Sequence, residues 1–503
     1  MSELKQLKNL INGQWLASET DQYFRVQNPS LGVDIADFPA STEKEIDAAV
    51  KAAAEAFPKW SAMPVMKRVR ILYKFRDLID AHFEELVNIL AREQGKVLEE
   101  AAGDVLKAKE IVEFACGAPS LMMGESIMNT SNDFDTVLYR EPIGVFAGLP
   151  PFNFPAMIPM GWMVPLCIAT GNTMVLKASP VTPMTALRMA ELLMEAGLPA
   201  GVLNVITCSN SMAERLVAHP AVKGVSFVGS TETGQKVYAA ATAHGKRVQA
   251  LCSAKNHALV LEDADLERTA DAVVRSSFGC AGQRCMALPV VVVQESVADR
   301  FVQLLKEKSA ALRVGIAYEN DSDMGPVISR HRRDELEKWI EIGLEEGAEL
   351  VLDGRGVKVA GAEGGFFIGP TIFDRVGAEM KIGNQELFGP ILCVKRVKSF
   401  ADGLRHMNGS PYANGATIFT GSGYYAREFS RLTDAGMVGI NVGIPVPIGV
   451  FPFSGHKKSF FGDLHTLGKD GVRFFTETKC VTSRWFDPDE RGELNEGTWG
   501  GTI

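Results

Sequence analysis

Three short segments hold residue types that can do covalent or transfer chemistry. FGCAGQRCMALP places Cys285 in a loop of small residues beside Arg284, where a guanidinium lowers a thiol pKa or holds an anion. Cys is also among the most buried residue types, so the segment by itself leaves both a reactive thiol and an inert core thiol open. GLPPFNFPAMIP sets Asn153 among prolines and aromatics. These stiffen the backbone, and an amide held rigidly can donate to an oxyanion; a turn-capping Asn is the alternative. VKGVSFVGSTETGQKV runs a strand into the glycine turn Gly229–Gly234 and then a helix, an arrangement that turns backbone N–H groups toward a phosphate. It is not G-x-G-x-x-G, because position 231 is Thr, nor a P-loop, because Gln235 stands where Lys is needed.

The elements that must position these segments read as tandem α/β. Helices are expected at 43–57, where Thr42 and Glu45 have capping-box spacing, at 65–79 and through 104–115, so the N-terminal part reads as mainly helical. From residue 142 short apolar strands (144–148, 173–177, 202–207, 224–228) alternate with helical stretches, one of them about 183–196 and stopped by Gly197 and Pro199. A second set follows at 257–261, 289–293, 349–352, 391–397, 416–420 and 439–442. Such alternation implies parallel sheets of βαβ units. Residues 129–140 and 471–482 read as extended β segments, neither long enough for a sheet of its own.

Composition narrows the classes. A chain of 503 residues suggests about three structural units. Lys plus Arg number 52 against 61 Asp plus Glu, a net charge of −9, which leaves no basic excess for nucleic acid. Eight cysteines lie no closer than five positions apart, so there is no Cys-x-x-Cys metal or redox pair, no metal is expected, and the chain reads as reduced and cytoplasmic. Residues 142–176 carry no charge, but the five prolines between 150 and 165 argue against a membrane span. The first residues hold Lys5 and Lys8 without the apolar core of a secretory signal.

The three segments, with LKASPVTP around Lys177 and NQELFGP around Glu386, occur in the order and approximate spacing of the aldehyde dehydrogenase superfamily. The resemblance covers roughly residues 8–486. FACGAPSLMMGES, SAKNH, AGQRCMA, FPFSG and SFFGDLH resemble its CoA-acylating methylmalonate semialdehyde dehydrogenase branch. The resemblance implies two Rossmann-like domains and a small β extension: residues 1–123 with 143–250 binding cofactor, 251–466 catalytic, and 124–142 with 467–490 for oligomerisation as a homodimer or homotetramer. It implies Cys285 as nucleophile and Asn153 as oxyanion donor. Lys177 and Glu386 would bind the riboses of NAD or NADP, Phe388 would lie beside the nicotinamide ribose, and Gly229 and Ser230 would meet the pyrophosphate.

Three positions depart from the family pattern. Leu251 stands four residues before Lys255, where hydrolytic members carry the Glu that activates water. Leucine takes no proton, so the acyl group is expected to pass to coenzyme A. Pro180 replaces the Glu that binds the adenosine ribose, which weakens the case for NAD over NADP. Lys107 replaces an Arg that, with the one matching Arg284, would pair the substrate carboxylate; Lys is a point charge rather than a fork. The expected reaction is oxidation of a short acidic aldehyde, malonate or methylmalonate semialdehyde, to acetyl-CoA or propanoyl-CoA. A non-acylating or non-decarboxylating enzyme for another anionic aldehyde, such as succinate semialdehyde or a sulfonated one, is the alternative.

Overall fold

The computed structural model describes residues 4–131 and 133–485. Residues 1–3, Asn132 and 486–490 of the expected segments lie outside them.

The alternation after residue 142 builds one sheet of eight strands. Its centre is parallel, in the order 247–251, 222–228, 145–149, 173–177 and 203–206. The uncharged stretch feeds this core: Val145–Leu149 is wholly buried, and so are the π-helical turn Ile158–Met163 and the helix Val164–Ala169. A Cβ on Gly161 would come within 3.0 Å of the Ala108 Cα, so glycine lets the helix Leu98–Cys116 lie directly on that turn. The second set of strands forms a seven-stranded sheet in the order 349–352, 371–374, 391–397, 290–294, 257–260, 415–419 and 437–440. Only its 349–352 edge is antiparallel. Both sheets therefore present the carboxyl ends of parallel strands, where loops carry sites in open α/β folds.

Helix ends follow local chemistry. Thr42 and Glu45 close a capping box on Glu43–Ser61, which buries Ile46, Ala49, Val50 and Ala53 on one face. Gly197, at φ 101°, follows the helix Met184–Glu195 in the left-handed conformation that stops helices.

Two expectations are corrected. The N-terminus is not mainly helical up to residue 42; it holds five short strands. Asn9–Ile11 and Gln14–Leu16 form a hairpin through Asn12 and Gly13, both at positive φ, and Asn9–Ile11 extends the eight-stranded sheet beside 203–206. Within 471–482 the first four residues are helical, because Gly468–Phe474 buries Val472 and Phe474; the strand is Thr476–Arg484. That strand pairs with Phe134–Pro142, which pairs with Ser126–Ser131, so the two β segments build one antiparallel sheet together.

A strap joins the halves. His456–Lys457 pairs with Tyr412–Ala413 beside the seven-stranded sheet, and Phe460–Phe461 adds an antiparallel edge to 247–251 of the other sheet.

Candidate active site

The helix Leu266–Phe278 ends in a turn that no regular element continues. Cys280 (φ 50°) and Ala281 (φ 50°) are left-handed, as is Gly282 (φ 70°). For residues with a Cβ this costs about 1–2 kcal/mol each, so the surroundings must hold it. Glu100 does so from both ends of the turn: its Oε1 accepts from the Cys280 N–H at 2.8 Å and from Arg284 Nη2 at 2.7 Å. Arg284 Nε in turn donates to Cys280 Sγ at 3.1 Å. The Gln283 N–H closes back on the Cys280 carbonyl at 3.0 Å, and the Gln283 Oε1 accepts from Ile328 N–H at 3.0 Å. Cys285 follows, half-buried, its carbonyl accepting from the amides of Asn256 at 2.9 Å and Asn414 at 3.2 Å.

Asn153 meets this loop directly. Its Nδ2 donates to the Gln283 carbonyl at 3.0 Å, which ties the amide to the chain two residues before Cys285 and leaves its second N–H for another acceptor. Lys96 Nζ donates to the Asn153 carbonyl at 2.8 Å and pairs with Asp104 at 3.0 Å, both side chains without exposure. Asp104 Oδ1 also accepts from the Met157 N–H, so one carboxylate holds both sides of the Asn153 turn.

Burial pushes the Cys285 thiol up to about 12, with the Glu386 charge adding to it and Arg284 opposing it. The thiol therefore rests protonated and needs a bound electrophile or charge to become the nucleophile. Burial also pushes the Glu386 carboxyl up, while hydrogen bonds from Ser253 and the Ala254 N–H hold it down. The loop that carries Glu386 packs on the cysteine loop: a Cβ on Gly282 would fall 2.2 Å from the Gly389 carbonyl. Phe388, left-handed at φ 52°, sets its ring edge-on to Phe152 at 5.9 Å, next to Asn153. Lys255 is buried and donates to the Ile382 carbonyl at 3.0 Å, steadying the same loop from behind.

Lys177 ends the strand Thr173–Lys177, half-buried, its side chain making no hydrogen bond or ion pair to any described residue. Ser230 caps the helix Thr231–Ala243 that follows Gly229, and the Gly229 N–H donates to the Leu251 carbonyl at 3.0 Å. An unpartnered cation at one strand end and a helix N-terminus at another fit a dinucleotide. Leu251 itself is buried in the same apolar core that Cys285 packs against.

A cavity of about 640 Å³ reaches Cys285 between Phe154, Trp162 and Phe453. Both Arg284 and Lys107 line it, yet each is already held by a carboxylate of the helix 98–116: Arg284 by Glu100, and Lys107 by Glu110 at 2.6 Å. Sequence reasoning missed Lys96, Glu100, Gln283, Asn256 and Asn414. For Asp104 a signal existed, since it shares a helix face with the buried Ala108, Ile111, Val112 and Ala115, and a charge on an apolar face needs a partner.

The "Aldehyde dehydrogenase family" profile matches residues 15–481. The chain belongs to the aldehyde dehydrogenase family. This aldehyde dehydrogenase is 47% identical over 484 residues to the malonate-semialdehyde dehydrogenase of Bacillus pumilus, covering 96% of this chain and 99% of the relative. It is 47% identical over 489 residues to the enzyme of that name from Bacillus subtilis strain 168, covering 97% and 100%. Among solved structures, a putative methylmalonate-semialdehyde dehydrogenase from Sinorhizobium meliloti, complexed with NAD, superposes with a TM-score of 0.95 at 39% identity, over 97% of this chain and 99% of that one. The methylmalonate-semialdehyde dehydrogenase of Oceanimonas doudoroffii gives 0.94 at 41%, over 96% and 99%. The α/β aldehyde dehydrogenase fold is thus shown for this dehydrogenase as for those relatives. No helix among its described residues is long and apolar enough to cross a membrane.

Proposed function

We propose that the chain oxidises malonate or methylmalonate semialdehyde to acetyl-CoA or propanoyl-CoA with loss of carbon dioxide. The carrying observation is near full-length similarity, at 47% identity, to relatives named for malonate semialdehyde, and the site agrees with it. Cys285 Sγ adds to the aldehyde carbonyl and gives up its proton to solvent, while the second N–H of Asn153 and the Cys285 backbone N–H receive the oxyanion. Lys177, Gly229, Ser230, Glu386 and Phe388 would hold NAD or NADP, whose nicotinamide takes up hydride when bound.

A thioester then remains on Cys285. A carboxylate β to that carbonyl leaves as carbon dioxide, its electron pair passing into an enolate held by the same oxyanion donors and then protonated. Arg284 and Lys107 are among the cations that line the cavity where that carboxylate would lie. Leu251 offers no base to water, so the coenzyme A thiol attacks the thioester and releases Cys285.

We assign residues 1–123 and 143–250, which supply all of the eight-stranded sheet but its 460–461 edge and Leu251, to cofactor binding and 251–466 to catalysis. The antiparallel sheet of 126–142 and 476–484 exposes Ile127, Met128 and Tyr139, which supports its pairing across subunits in a homodimer or homotetramer. Eight free cysteines support a cytoplasmic location.

The test is pre-steady-state NADH formation with and without CoA. Without it, a burst near one per active site followed by a slow rate is expected; CoA raises the steady rate and leaves the burst. Equal turnover without CoA, with free acid as product, refutes the acylating reading.

A further inference from the structure

Charges in the wall of the cavity at Cys285 fall almost entirely into pairs. Arg284 meets Glu100 at 2.7 Å, Lys107 meets Glu110 at 2.6 Å, Asp104 meets Lys96 at 3.0 Å and Asp323 meets Arg313 at 3.0 Å. Two charged lining residues stand apart. Glu99 and Arg275 are exposed and have no ion pair or hydrogen bond from their side chains to any described residue. Arg275 lies in the last turn of the helix Leu266–Phe278, and its neighbours Val274 and Phe278 line the same cavity.

Pairing matters because a carboxylate at 2.6–2.7 Å cancels most of the field of its cation, and an incoming anion must share that cation's donors with it. Glu99 offers an anionic aldehyde only repulsion. The attraction in this wall that is not already spent inside the protein is the guanidinium of Arg275, with five donors on a long stem.

We propose that Arg275 is a specificity-determining residue, which draws in and orients the acid group of the aldehyde at the cavity mouth. This rests on the acidic-aldehyde reading above. It assigns the deeper pair, Arg284 with Glu100, chiefly to holding the left-handed turn before Cys285.

The test uses the full chain with NAD and CoA, and compares kcat/KM for malonate semialdehyde with that for propanal, a neutral aldehyde of similar length. In Arg275→Gln the malonate-to-propanal ratio is expected to fall about fivefold, and the salt dependence of kcat/KM for the acid to flatten, as loss of a rim charge does. Arg275→Lys is expected to keep most of the ratio, because position and charge rather than a fixed fork act at an exposed site. A ratio in Arg275→Gln within about twofold of the parent overturns the proposal, since a rim charge that recognises ligand moves association and its salt dependence. So does an equal fall in Arg275→Lys with unchanged salt dependence. A parent enzyme that prefers propanal to malonate semialdehyde refutes the acidic-aldehyde reading instead, before any variant is compared.

Discussion

Asp104→Ala tests how the oxyanion donor is held. The substitution leaves the Lys96 ammonium with its side chain unexposed, facing only the Asn153 carbonyl and the Phe154 ring at 3.9 Å. Removing one member of a buried pair costs about 3–5 kcal/mol, because the other charge stays buried uncompensated. The ring returns about 0.5–2 kcal/mol of that, while the Met157 N–H loses its acceptor at a cost of about 1–3 kcal/mol. A net destabilisation of about 4 kcal/mol is expected, read from urea unfolding midpoints. Lys96→Met combined with Asp104→Leu carries no stranded charge, so it is expected to be less destabilised than Asp104→Ala. Measured on folded protein, kcat in Asp104→Ala should drop at least tenfold, a part of the roughly 10²–10³-fold cost of losing an oxyanion donor outright. A loss under about 1 kcal/mol, or a double variant as destabilised as the two singles added, would refute the coupling.

Asn153→Ala is expected to lower kcat about 10²-fold with NAD binding retained, checked by steady-state rates and cofactor titration. Pro180→Glu should shift kcat/KM preference toward NAD over NADP, because a carboxylate pairs ribose hydroxyls and repels a 2′-phosphate. In the cofactor-free protein, iodoacetamide labelling of Cys285, followed by mass spectrometry, should be slow at neutral pH and climb about tenfold per pH unit up to pH 9, since the thiol lies far above that range. Glu386→Gln removes a charge that raises the thiol, so it should speed labelling at fixed pH.

Where hydrophobic period and motif coincided, the sequence was legible. Thr173–Lys177 and Ile391–Val397 appear with the expected bounds, because buried parallel strands are continuous apolar runs whose ends carry the loops. Cys285, Asn153 and Glu386 stood out because their neighbours are unusual. The strands 5–6, 9–11 and 14–16 did not, since two or three residues make no period; Leu10 gains its place by pairing with Val205 on one side and Trp15 on the other. Yet Asn12-Gly13 between Ile11 and Gln14 is a hairpin signal that went unread. Lys96 and Glu100 were invisible for another reason: on a helix they look like solvent-facing charges, and only the tertiary fold brings them to Asn153 and Cys280.

The strap at 456–461 changes what counts as a part of this molecule. Phe460 and Phe461 are supplied from far along the chain to the edge of a sheet whose other strands all end by residue 251. The Ser459 hydroxyl donates to the Ser253 carbonyl at 2.7 Å, and its own carbonyl accepts from the Cys252 N–H. A chimera that exchanges residues 1–250 with a relative would thus inherit a foreign edge strand, and a cut between the sheets would strand that edge on the wrong fragment. Recombination along this chain has to move two distant pieces of sequence together to keep that sheet whole.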